Sequence, residues 1–255
     1  NYGYSSGRLA SITKSTDGVG TAFSYDTYGR LITKNDGATK TQYGYDGNDR
    51  VNSIVHSNTS SSAVLHQETY NYDYANNLTS KVVNSVATYY TYDDIDQLLT
   101  ENGGGITNTY AYDANGNRTS KNNGSVIQTY TYDDADKLTQ ITRTSGGTTN
   151  YLYDNCGRTT QISGPSGTRT FTWNYDDRLT NLSGGGVPST NYTYNGAGTR
   201  VTKSNTSASR TYKRNGAGVT APVLADGVAT MVPGISEKSG GTTSFILKDR
   251  LGSMK

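Results

Sequence analysis

Polar and aromatic residues alternate along most of this chain. In Val126-Ile127-Gln128-Thr129-Tyr130-Thr131-Tyr132 the alternation has the period of a strand, with successive side chains on opposite faces. Tyr130 and Tyr132 therefore share a face, roughly 7 Å apart. An Asp follows and opens a short turn, because its carboxylate can accept a backbone N–H two residues on. Glycine at the fourth place after the second tyrosine, as in Gly29, Gly116 and Gly157, tolerates the positive φ such a turn needs. A second strand comes next, Arg30-Leu31-Ile32-Thr33 or Lys137-Leu138-Thr139-Gln140-Ile141-Thr142. Turns such as Gly103-Gly104-Gly105 and Asn122-Asn123-Gly124 then bring the chain back, so each unit reads as a β-hairpin.

The unit recurs at nearly constant spacing. Its copies carry Tyr25 and Asp26; Tyr43, Tyr45 and Asp46; Tyr70, Tyr72 and Asp73; and Tyr90, Tyr92 and Asp93. They continue with Tyr110, Tyr112 and Asp113; Tyr130, Tyr132 and Asp133; and Tyr151, Tyr153 and Asp154. The aspartates follow one another at 20, 27, 20, 20, 20 and 21 residues. Trp173 takes the second aromatic place in Phe171-Thr172-Trp173-Asn174, Tyr192-Thr193-Tyr194-Asn195 is a last copy, and Tyr2-Gly3-Tyr4 a shortened first one. A period near twenty marks one copied supersecondary unit that cannot bury its own apolar face alone. The expected fold is all-β: repeated antiparallel β-hairpins of about 20 residues, laid side by side into a spiralling sheet. Tyrosines would form rows across it, neighbouring repeats lying roughly 10 Å apart. Arg30 opposite Asp26, Arg158 opposite Asp154 and Lys137 opposite Asp133 place unlike charges at the ends of a turn. Such exposed pairs, worth about 0–1 kcal/mol each, set register more than stability. The longer interval contains a Ser/Thr/Asn run, Ser57 to Ser62, which reads as a surface loop, with His56 and His66 as loop histidines.

Composition changes this picture in one respect. Hydrophobic residues are only 32% and mean hydropathy is −0.70, yet there are 22 Tyr and 30 Gly. Disordered chains are poor in aromatic and β-branched residues, so an ordered protein with a thin apolar layer is expected. The formal charge of +2 comes from 23 basic and 21 acidic residues, interspersed along the chain, which argues against a nucleic-acid footprint. The single Cys156 can form no intrachain disulfide. No apolar run is long enough to span a bilayer, and the chain, opening inside a repeat without a signal peptide, reads as an excised piece.

After Gly196-Ala197-Gly198-Thr199-Arg200-Val201 the tyrosine period fades, and Pro222, Pro233 and the run from Val219 to Val232 mark different construction. Residues 1–200 are thus expected to form the hairpin array and residues 201–255 a divergent β segment. That segment ends in Phe245-Ile246-Leu247-Lys248-Asp249-Arg250-Leu251-Gly252-Ser253. The repeated Tyr-x-Tyr-Asp-x-x-Gly-Arg-Leu pattern resembles the YD repeats of bacterial Rhs and wall-associated polymorphic toxin proteins, of toxin-complex C components and of animal teneurins. The closing segment is similar to the one that follows the repeats in bacterial members. The resemblance implies strands wound into a hollow shell that encloses a C-terminal toxin, in a secreted or cell-surface bacterial protein. Its partners would be the remaining shell repeats and the toxin of the same polypeptide. The family's self-cleaving Asp-Pro-x-Gly-Leu segment has no match here, so no protease activity carries over.

No catalytic constellation, cofactor site or metal site is expected. Asp93-Asp94-Ile95-Asp96, Asp133-Asp134-Ala135-Asp136 and Asp113-Ala114-Asn115-Gly116-Asn117 have the oxygen density of a calcium loop but lack its acidic twelfth ligand, and turn formation accounts for them. Gly103-Gly104-Gly105 and Gly184-Gly185-Gly186 lack the Lys and Ser/Thr of a phosphate loop. Cys156 is an incidental thiol in a turn. The tyrosine rows have two readings: cross-strand packing that holds the sheet, or aromatic faces that stack on sugar rings. The expected function is a non-enzymatic shell segment. The alternative is an extracellular adhesion or fibre module that binds glycans or self-associates through open strand edges.

Overall fold

A computed structural model describes residues 1–13, 20–214, 216, 223–232, 236–239 and 242–245. The motif Leu247 to Ser253 and both Pro222 and Pro233 lie outside the described residues. Among those described there are strands and turns but no helix. The chain divides into two compact units, the first taking in residues 1–107 and the second residues 108–246.

In the first unit the hairpins pair Tyr2–Ser5 with Arg8–Thr13, Gly20–Tyr25 with Leu31–Asn35 and Thr39–Tyr45 with Val51–Asn58. Val64–Tyr72 with Leu78–Val83 and Val86–Tyr92 with Leu98–Gly103 complete it. Each hairpin also pairs antiparallel with the next. The second unit repeats the plan from Ile106–Tyr112 with Arg118–Asn122 to Val187–Tyr194 with Arg200–Ser204, followed by Ser209–Thr211. A separate five-stranded antiparallel sheet runs from Lys213–Arg214 to Thr242–Phe245.

The alternation seen in the sequence sorts the two faces of the sheet. Tyr130 lies opposite Ile141, Tyr151 opposite Ile162 and Phe171 opposite Leu182. Such aromatic–aliphatic cross-strand pairs contribute roughly 0.2–1 kcal/mol each. The other face carries hydroxyls and amides: Gln140 Nε2 donates to Asn150 Oδ1 at 3.0 Å, and Asn181 Nδ2 to Asn191 Oδ1 at 2.8 Å. Aromatic and polar residues are thus segregated to opposite faces in these rows. The core is thin, as composition implies: Ile54 and Tyr70 are buried in the first unit, Tyr130 and Ile141 in the second.

One regularity has no counterpart in simple alternation. In every hairpin of the tyrosine array the register shifts beside the second aromatic residue: Ser24 faces Thr33 but Tyr25 faces Leu31, and Thr172 faces Asn181 but Trp173 faces Leu179. The extra residue is a β-bulge, which bends and twists its strand. It sits where each hairpin enters its Asp-led turn.

Candidate functional site

The repeated turn is built from main-chain and carboxylate bonds. Asp26 N–H donates to the Arg30 carbonyl at 3.0 Å, and Gly29 N–H to the Asp26 carbonyl at 3.0 Å. Asp26 Oδ1 accepts from the N–H groups of Tyr28 and Arg30, at 3.0 and 2.9 Å. The same contacts recur at Asp46, Asp113, Asp133, Asp154, Asn174 and Asn195. Asparagine serves at the last two because these contacts need an oxygen acceptor, not a charge. The residue three places on is left-handed in every copy: glycine at Gly29, Gly116, Gly157 and Gly198, but Asp49, Asn76, Asp96, Asp136 and Asp177 elsewhere. Asn and Asp are the other residues that enter this region readily.

The turn bonds also lower the pKa of their carboxyls. Burial pushes Asp26 up, but the Arg30 N–H, guanidinium and charge, with the Tyr28 N–H, outweigh it and hold the carboxyl below its ordinary value. Asp46, Asp113 and Asp154 are lowered in the same way against burial, by their own turn donors. For Asp133 the Lys137 N–H is the leading cause of the lowering. Arg30 and Arg158 are raised, chiefly by their bonds to Asp26 and Asp154.

Consecutive repeats are joined by the second aromatic residue. Its polar hydrogen is donated backwards to a main-chain carbonyl at the start of the preceding hairpin's second strand. In the first unit Tyr25 reaches Leu9 at 2.9 Å, Tyr45 Leu31 at 2.8 Å, Tyr72 Val51 at 2.6 Å and Tyr92 Leu78 at 2.9 Å. In the second unit Tyr132 reaches Arg118 at 3.0 Å, Tyr153 Leu138 at 2.7 Å and Tyr194 Leu179 at 2.8 Å. Trp173 fills the same role with its indole N–H, 2.8 Å from the Thr159 carbonyl. Each acceptor residue lies next to the unpaired bulge residue of its strand, Leu31 beside Ile32, Leu138 beside Thr139 and Leu179 beside Thr180. Burial raises the hydroxyl pKa of Tyr45, Tyr132 and Tyr153, and of Tyr43 in a first aromatic place.

A second link runs forwards. Arg30 binds Asp26 through Nε at 2.7 Å and Asp49 of the next turn through Nη1 at 2.5 Å, while its guanidinium lies 4.6 Å from the Tyr45 ring centroid. Arg50 likewise spans Asp46 and Asn76 and lies 4.6 Å from the Tyr72 ring, and Arg158 spans Asp154 and Asp177. At Asn77 and Asn117 a neutral amide takes the bridging place: Asn117 Nδ2 is 3.2 Å from Asp113 Oδ2 and 2.6 Å from Asp136 Oδ1. The motif residues singled out in the sequence therefore do not converge on one pocket within a unit. They repeat along it.

The two histidines lie on strands, not in a loop, because the added residues lengthen the hairpin Val51–Asn58/Val64–Tyr72 as well as its turn. His56 is buried directly opposite His66, with ring centroids 5.9 Å apart. Thr41 Oγ1 is 2.9 Å from His56 Nδ1. Buried Glu68 takes His66 Nε2 at 2.7 Å, the Tyr70 hydroxyl, and Lys81 Nζ at 3.5 Å. The Gln67 N–H donates to Asn84 Oδ1, which turns the Asn84 amide nitrogen toward His66 Nδ1. His66 therefore carries its proton on Nε2 and donates it to Glu68. The cluster joins strands through a buried polar network. Among the described residues no group of three or more His, Cys, Asp or Glu side chains is placed to hold a metal ion. Cys156 is exposed at a turn tip.

The family described as Teneurin YD-shell matches residues 105–195. No curated protein matches the chain in sequence. Solved structures match most of it. The crystal structure of TcdB2-TccC3-Cdc42 superposes with a TM-score of 0.55 at 17% identity, covering 91% of this chain and 15% of that one. TcdB2-TccC3 gives 0.54 at 17% identity, covering 90% and 15%, and TcdB2-TccC3-TEV 0.51 at 19%, covering 93% and 13%. The chain thus spans about a seventh of the length of these solved chains. YD-shell sequence is present in residues 105–195, and the fold is the YD-repeat fold of the TcdB2-TccC3 structures.

Proposed function

We propose that the chain is a segment of wall in a secreted or surface-exposed bacterial YD-repeat shell, non-enzymatic in itself, that encloses a toxin carried C-terminally on the same polypeptide. The observation that supports this most is the backward staple, present between successive hairpins in both units. It commits the second aromatic of each hairpin to holding repeat on repeat. Their polar hydrogens are donated to main-chain carbonyls and cannot also bond a sugar, which favours the packing role over the glycan reading at these positions. Residues 1–200 would form the regular array and residues 201–255 a divergent segment of the same wall. No helix among the described residues is long and apolar enough to cross a membrane.

The test is limited proteolysis of the full polypeptide that contains this chain. Enclosure predicts that the segment C-terminal to the shell resists protease at doses that digest the same segment expressed alone. Equal digestion of the two would refute enclosure.

A further inference from the structure

We propose that the chain binds a second copy of itself margin to margin, the acidic turn margin of one copy meeting the basic margin of the other through the second unit. This goes beyond the wall reading and stands without it.

Charges interspersed along the sequence are sorted by folding. The hairpin period sends every Asp-led turn of the unit to one margin, where three cations already pair with carboxylates while Arg118 and Arg200 lie over the Tyr130 and Tyr212 rings. Lys137 pairs with Asp133 at 3.4 Å, Arg158 with Asp154 and Asp177 at 2.7 and 2.8 Å, and Arg178 with Asp176 at 3.5 Å. At the Asp113 turn, however, Asn117 stands in the bridging place, so Asp113 and Asp136 share an amide and no cation. Asp134 beside them is exposed. An open recess of about 460 Å³ is lined there by Asp113, Asn115, Asp133, Asp134 and Asp136, with no basic side chain in its lining.

The opposite margin has the reverse character. Lys121, Arg143, Arg169 and Lys203 stand near the far ends of hairpins in the same unit, on the aromatic face, Lys121 opposite Tyr110 and Lys203 opposite Tyr192. None of the four meets a carboxylate within ion-pair distance among the described residues. Strands of about six residues hold the margins roughly 20 Å apart. That exceeds two Debye lengths of about 8 Å at physiological salt, so the margins do not neutralise each other within one copy.

Sign and spacing together identify the occupant. Both margins take their spacing from the same hairpin, roughly 10 Å per repeat. A second copy therefore presents lysines and arginines, spaced by the same hairpins, to the recess where Asp113, Asp134 and Asp136 gather. The fully exposed Tyr175 on the acidic margin adds a bare ring on which an arginine of the other copy can stack.

The test is sedimentation velocity of the chain at low and high salt, with two double variants. Asp134→Lys with Asp136→Asn alters the acidic margin, and Arg169→Glu with Lys203→Glu the basic one. Wild type is expected to associate at about 50 mM salt and to weaken at least about tenfold by about 500 mM. Each variant alone is expected to lose association, and an equimolar mixture to regain it, because one supplies the intact acidic margin and the other the intact basic one. A monomeric wild type at low salt, association indifferent to salt, or a mixture no better than its components would each overturn the proposal. The wild-type salt series decides the matter even if a variant fails to fold.

Discussion

Tyr153→Phe removes one oxygen from one staple and leaves the ring. The lost bond is the 2.7 Å donation to the Leu138 carbonyl, across the junction between two hairpins of the second unit. Lys137 Nζ, 5.7 Å from the ring centroid, keeps its contact. An intramolecular hydrogen bond contributes about 0.5–1.5 kcal/mol net, and a carbonyl left dry costs about 1–3. The half-buried site places the expected loss near 1 kcal/mol. Tyr175→Phe makes the same chemical change at a fully exposed turn tip and is expected to change stability by less than about 0.5 kcal/mol. Staples lie about 10 Å apart, far enough for their losses to add. Tyr132→Phe, Tyr153→Phe and Tyr194→Phe combined should therefore cost about 3 kcal/mol, a large part of the roughly 5–15 kcal/mol that holds a domain together. Urea unfolding followed by fluorescence of Trp173, the only tryptophan, reads the second unit directly. Equal midpoints for Tyr153→Phe and Tyr175→Phe would refute the assignment of these hydroxyls to the junctions.

Three further outcomes follow from the turns. Asn117→Arg supplies the cation missing between Asp113 and Asp136 and should raise the urea midpoint by the equivalent of up to about 1 kcal/mol, with the gain lost in high salt. Gly157 has φ of 77° and its missing Cβ would meet only Lys137 Cδ at 4.0 Å, so Gly157→Ala should cost about 1–2 kcal/mol from backbone strain alone. Gly157→Asn should cost less, since Asn76 already occupies the equivalent place; equal thermal midpoints for the two variants would count against the turn geometry. Asp26, Asp46, Asp113, Asp133 and Asp154 are lowered in the folded chain. Their stabilisation is therefore present above the unfolded value near 3.9 and lost as pH falls through the folded values. Tyr43, Tyr45, Tyr132 and Tyr153 are raised, so their share is full below the unfolded value of about 10 and lost as pH climbs through the folded values. Urea midpoints measured across pH should fall at both extremes.

The hairpin and its turn were legible because both are local: Tyr130-Thr131-Tyr132 announces a strand, and Asp133 is bonded by the N–H groups of Ala135 and Lys137. The staples were not, because Tyr153 is met fifteen residues earlier by a main-chain carbonyl, a group that every residue carries and none advertises. The bulge beside that carbonyl was hidden too: it always flanks the second aromatic, but the residue it leaves unpaired is isoleucine at Ile32, asparagine at Asn52 and threonine at Thr160. A signal did exist for the forward bridges. Arg30 meets Asp49, Asn77 meets Asp96, Asn117 meets Asp136 and Arg158 meets Asp177, each nineteen residues on, one less than the repeat. Complementary polar residues recurring at the period minus one are what a stacked turn requires, and they can be read from a bare sequence once the period is known. The histidines misled for a related reason. Extra residues between Asp46 and Asp73 looked like a loop because serine, threonine and asparagine filled them, yet a strand whose neighbours supply a buried carboxylate and hydroxyls accepts such residues in its interior. Polarity predicts exposure only where the neighbouring strands are apolar. In this chain most neighbours are polar too, so partners decide burial more than hydropathy does.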